Sequence, residues 1–144
     1  MNSEGAEFLV LGNLLIRGVH ATKAYTNFPG WDLLATNPTT ADTCRIQVKA
    51  RLATDFDGGF PIKDFSAEFV VLAALNRGNR YRKASTGHEG QKDPMFWILP
   101  MELVVEAAEQ APRWGDSSKV FLRHLSDSQQ FLGAWNLISE HLRL

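Results

Sequence analysis

The stretch 31-WDLLATNPTTADTCRIQVKAR-51 places an acid, Asp32, ahead of an amide and an ammonium two residues apart, Gln47 and Lys49. A carboxylate and an amide oxygen can share a hard cation, because Mg2+ prefers oxygen ligands. An ammonium beside them can orient a water or meet the negative charge that develops at phosphorus. That is the inventory for metal-dependent cleavage of a phosphodiester. The plainer alternative is a solvated sheet face, since Arg45, Gln47, Lys49 and Arg51 alternate with Ile46, Val48, Ala50 and Leu52.

The chemistry requires elements that bring these groups together. Residues two apart on a strand share a face, and neighbouring strands lie about 4.8 Å apart. Residues 31–36 are expected as a short strand, 37–42 as a tight connection and 43–52 as the clearest strand of the chain. On that arrangement Asp32, Gln47 and Lys49 could meet around a single ion, with the carbonyl of Val48 between them.

Ahead of them, residues 3–18 have the pattern of a helix, with Ser3 as its cap and Gly18 at its left-handed end. Glu7, Val10, Leu11 and Leu14 fall on one helical face, so an acid sits at the edge of a buried stripe. It is either an accessory carboxylate or a helix-start acid favoured by the macrodipole. Residues 19–27 have moderate strand character and 54–61 look like a loop. Residues 68–75 are nearly all apolar, as in a strand buried on both faces. Residues 95–99 make a last strand, 101–110 a helix with Leu103, Val104 and Ala107 inward, and 126–142 a final amphipathic helix capped by Ser126 or Asp127. The order helix, about five strands, then helices points to an α/β sandwich.

Composition bounds the rest. The 144 residues suit one domain, residues 1–144, able to bury its own core. A formal net charge of −1 excludes no partner, because a basic face can hide inside a neutral total. Cys44 is the only cysteine, so no internal disulfide can form; a buried apolar role and a reducing, cytoplasmic setting are expected. No run approaches the roughly 18 apolar residues of a membrane span. The polar, acidic start MNSEGAE is unlike a secretory signal. Asp55, Asp57 and Asp64 follow the 43–52 strand, where one could supplement the site, although a polar loop is the plainer reading; His20, His88, His124 and His141 lack zinc-site spacing. The run Arg77, Arg80, Tyr81, Arg82, Lys83 lies in a polar segment expected to be a mobile loop. It suits phosphates, or is simply solvated.

Four features together resemble the PD-(D/E)xK nuclease superfamily, which includes Holliday junction resolvases and many restriction endonucleases. They are the helix with Glu7, Val10, Leu14 and Gly18; the Gly30-Trp31-Asp32 entry to a strand; Gln47-Val48-Lys49 at the (D/E)xK position; and the buried strand followed by 96-FWILP-100 and a helix. The likeness covers roughly residues 4–110. It departs in two places: no proline directly precedes Asp32, and Gln47 stands where an acid is usual, which removes a full charge from the site. The resemblance implies a restriction-endonuclease-like three-layer sandwich, α/β, with a central mixed sheet of about five strands flanked by helices.

It also implies a Mg2+- or Mn2+-dependent DNA endonuclease. Asp32, Gln47 and the Val48 carbonyl would be metal ligands, Lys49 catalytic and Glu7 accessory. Arg51, Arg77, Arg80, Arg82 and Lys83 would contact nucleic acid, and a homodimer would let each protomer cut one strand. Two rivals stay open. One is a nuclease-fold module that has lost catalysis and binds nucleic acid or a protein, which Gln47 favours. The other is a structural subunit that dimerises through an apolar edge.

Overall fold

A computed structural model describes residues 2–24, 30–54, 59–78, 90–113 and 115–144. Helix α1 (Asn2–Ile16) ends as its sequence requires. Gly18 takes φ +78, its N–H bonds the Leu15 carbonyl, and the Val19 N–H reaches back to Leu14. This pairing satisfies carbonyls the last turn would otherwise orphan. Ser3 lies inside the helix rather than at its cap, because the helix already begins at Asn2.

The chain continues through β1 (His20–Lys23), β2 (Leu33–Thr36), β3 (Thr43–Arg51), β4 (Gly59–Ile62), β5 (Phe69–Ala74) and β6 (Met95–Pro100). Then come α2 (Met101–Glu109), β7 (Ser118–Phe121) and α3 (Asn136–His141). The central sheet has five strands in the order β1-β2-β3-β5-β6. Only β3 and β5 run parallel; the other neighbours are antiparallel, so the sheet is mixed as expected.

Side-chain alternation builds the layers. Cys44 and Ile46 of β3 and Phe69 and Val71 of β5 pack with Val10 and Leu14 of α1. Val70, Leu72 and Ala74 pack the other way, against Val104 and Ala107 of α2 and against Phe60, Ile62 and Val120 of a second, two-stranded sheet, β4-β7. All six residues of β5 are buried, which is why that segment has no polar face.

Two expectations need correction. The segment holding β4 reads as a loop because Gly59 and Pro61 are poor strand formers, yet it pairs antiparallel with β7 from far along the chain. The last helix is much shorter than 126–142. Asp127 sits at φ 52, residues Ser128–Phe131 form a short 3-10 turn, and Gly133 at φ 66 donates its N–H to the Phe96 carbonyl. Leu132 bridges Trp97, so this stretch covers the β6 edge. It also crosses from one core to the other: Phe131 joins the α2 side, whereas Trp135 and Ile138 join the α1 side. A continuous helix could not serve both.

Candidate active site

The strands β2 and β3 part where the candidate residues lie. Leu33 and Ile46 are the last pair in register, so Asp32 stands where β2 leaves β3. There the ladder gives way to a side chain: Asp32 Oδ2 accepts the Val48 N–H at 2.7 Å, while the Asp32 N–H donates to the Ile46 carbonyl at 2.8 Å. On a strand, the N–H and C=O of one residue point to the same edge. The Val48 carbonyl therefore faces the edge that carries the Asp32 carboxylate.

Gln47 and Lys49 project from the opposite face to α1, beside their register partners Val70 and Leu72. Gln47 is only 8% exposed. Its Oε1 is buried with no hydrogen-bond partner, one of three such side-chain atoms among the described residues. A buried acceptor without a partner costs about 1–3 kcal/mol, so something in the working protein is expected to meet it. Burial holds the Lys49 ammonium below its ordinary range, partly opposed by the charge of Asp32. Lys49 thus senses the Asp32 charge near the fork in the sheet.

Glu7 approaches Asp32 from the α1 side. Burial and then the neighbouring Asp32 charge push its carboxyl up, against the pull of Lys23. Lys23 had no part in the sequence reading. Its side chain is 9% exposed, with Nζ 3.1 Å from Glu4 Oε1 and 3.7 Å from Glu7 Oε1. Nothing local in the sequence signals this contact, because the helix and β1 meet only in the fold.

A cavity of about 350 Å³ opens over this face, lined by Gly30, Gln47, Lys49, Pro61, Ile62, Lys63, Asp64 and Ser117. Asp64, read as a loop acid, is therefore a wall of the cleft. Its carboxylate accepts the Ser66 N–H at 2.8 Å. Gly30 makes this wall possible: it takes φ +88, and a Cβ there would collide with the Asp64 carboxylate and the Ser66 hydroxyl.

The remaining candidates divide. Arg45, on the same face as Gln47, is held by Glu68: Nη2 lies 2.9 Å from Oε1 and the Arg45 N–H 2.6 Å from Oε2. Arg51 ends β3, half-buried, in register with Ala74. Arg77 directs its guanidinium to the Leu75 and Lys92 carbonyls, at 3.0 and 2.7 Å, and so ties together the base of the basic segment. Arg80, Tyr81, Arg82, Lys83, His88, Asp55 and Asp57 lie outside the described residues. Among the described residues no three His, Cys, Asp or Glu side chains cluster together. Cys44 is buried on the α1 side, as expected, with its thiol pushed up to about 12 by burial.

A mixed five-stranded sheet between α1 and α2 is the restriction-endonuclease-like fold. Two solved structures share it. One is a bacterial homing endonuclease, I-Ssp6803I, 15% identical, with a TM-score of 0.58 over 96% of this chain and 89% of that one. The other is Hjc of Archaeoglobus fulgidus, a Holliday junction resolvase, 17% identical, with a TM-score of 0.50 over 87% of this chain and 88% of that one. No family model matches the sequence, and no curated protein does.

Proposed function

We propose that this protein is a Mg2+-dependent DNA endonuclease, a single domain over residues 1–144 that works in the cytoplasm as a homodimer. The observation that carries the reading is the buried, unpartnered Oε1 of Gln47, on the same wall as Lys49, with Asp32 bonded to the N–H of Val48 between them in sequence. The donor types suit a hard cation: a carboxylate oxygen of Asp32, the Gln47 amide oxygen and the Val48 carbonyl would be all-oxygen ligands. Mg2+ or Mn2+ held there supplies Lewis-acid polarisation of a phosphoryl oxygen and of water.

This chain's residues do the rest. Lys49, already partly desolvated, orients the attacking water and meets charge on the phosphate oxygens. Glu7 adds a carboxylate from the α1 side, and Lys23 holds Glu7 in place. Arg51, Arg77, Arg80, Arg82 and Lys83 would supply the positive charge that contacts the DNA backbone. The two similar structures, described as an endonuclease and a resolvase, support DNA as the substrate class. A metal-dependent plasmid-nicking assay tests the assignment. The parent is expected to nick, and Asp32→Ala and Lys49→Ala to lose at least about 100-fold. If both variants cut as fast as the parent, these roles are wrong.

A second reading, a DNA-binding module without catalysis, is favoured by Gln47 standing where a second acid would add charge. Calorimetry separates them: a binding module takes up DNA with salt-sensitive affinity but shows no Mn2+ site.

A further inference from the structure

The two-stranded sheet β4-β7 has an inner and an outer face. Phe60, Ile62 and Val120 are buried inward. By alternation Pro61, Lys119 and Phe121 face outward. Lys119 lies directly across from Pro61, which lines the cleft beside Gln47 and Lys49. The outer face is therefore a continuation of the cleft wall.

That face is cationic and aromatic. The Arg123 guanidinium lies 3.9 Å from the centre of the Phe121 ring, and Lys119 Nζ lies 5.7 Å from it. Stacking on a ring fixes the guanidinium plane while leaving its N–H edge to bond a phosphate, as a lone flexible lysine could not. Lys63, just after β4, lines the cleft and pairs with Asp116 at 3.1 Å. Both side chains of that pair are widely exposed, so a phosphate can compete for Lys63. Asp64 and Asp116 are the acids bordering this region, and Asp64 is bonded to Ser66.

We infer that the outer face of β4-β7, through Lys119, Arg123 and the ring of Phe121, is a docking surface for the sugar-phosphate backbone of duplex DNA. It would guide one strand into the cleft over Gln47 and Lys49. This inference rests on the reading of that cleft as a phosphodiester site. Charge complementarity and continuity with the cleft select the occupant: a regular row of phosphates leaving the cleft meets Lys119 first and Arg123 next.

The test is fluorescence anisotropy with a short labelled duplex in EDTA, titrated over a range of salt, with plasmid nicking run in parallel. Glutamine at both positions, Lys119→Gln with Arg123→Gln, keeps the stems but removes the charges. It is expected to weaken binding about tenfold or more and to flatten the log–log salt slope by about two. Arg123→Gln alone, at an exposed residue, is expected to flatten the slope by about one. An unchanged affinity and slope in the double variant overturns the inference. Displacement of the duplex by polyglutamate as readily as by unlabelled duplex also overturns it, since the surface would then read only negative charge. The two readings fail separately. A parent that nicks while the double variant binds normally sinks the docking surface alone. A parent that never nicks, yet binds through these two cations, sinks catalysis alone.

Discussion

Replacing Gln47 with glutamate exchanges an amide for a carboxylate of nearly the same shape at a position only 8% exposed. Without metal, the new charge is buried, one residue from the Val48 N–H that Asp32 holds, and the Lys49 ammonium on the same strand face offsets it only in part. A cost of about 1–3 kcal/mol is expected. For a chain of this length that lowers the melting temperature by about 3–9 °C. With Mn2+ the sign reverses, because an ion shared by Asp32 and residue 47 gains a full counter-charge. A tenfold tighter site is worth about 1.4 kcal/mol at the same excess of ion, or about 4 °C. Thermal melts of parent and Gln47→Glu, each in EDTA and in Mn2+, isolate this double difference from simple destabilisation. The Mn2+-induced rise should be larger in the variant. An equal or smaller rise would mean that the Gln47 oxygen does not face an ion site.

Other outcomes follow from the same contacts. Gly30→Ala forces a side chain into φ +88 and against Asp64 and Ser66, so urea denaturation should show a loss of about 2–4 kcal/mol. Lys49→Met should abolish nicking while leaving the fold intact. In the parent, the lowered Lys49 pKa means the folded protein releases that proton before the unfolded chain does. Stability should therefore rise with pH in the window just below the ordinary 10.5, and urea midpoints should lose that rise in the variant. Burial pushes Glu68 up, but its bonds to Arg45 outweigh this and hold it below 4.5. The stability it contributes is present above 4.5 and lost as pH falls through its folded value; Glu68→Gln should cost about 1 kcal/mol at neutral pH and blunt that acid-side loss.

What the sequence revealed follows from how local each signal is. The alternation of β3 is written residue by residue, so Gln47 and Lys49 could be set on one face before any fold was known. Gly18 announced the end of α1 because only a left-handed residue closes that pattern. The uniform apolarity of residues 69–74 marked a strand covered on both sides. The misses are all non-local. β4 is held by β7, more than fifty residues later, and its Gly59 and Pro61 look like loop chemistry until that partner is in place. The apolar period of residues 126–142 suggested one helix, but Phe131 and Trp135 serve opposite cores, and Gly133 turns the chain between them to cover β6. Lys23 reaches Glu7 only because α1 lies over β1, and Asp64 reaches the cleft only because Gly30 yields the space.

The most direct measurement is anomalous diffraction from crystals soaked in Mn2+. A peak is expected about 2.1 Å from an Asp32 carboxylate oxygen, Gln47 Oε1 and the Val48 carbonyl, with Lys49 beside it but not ligating. An ion bound elsewhere, or none at the fork between β2 and β3 at millimolar Mn2+, would contradict the account.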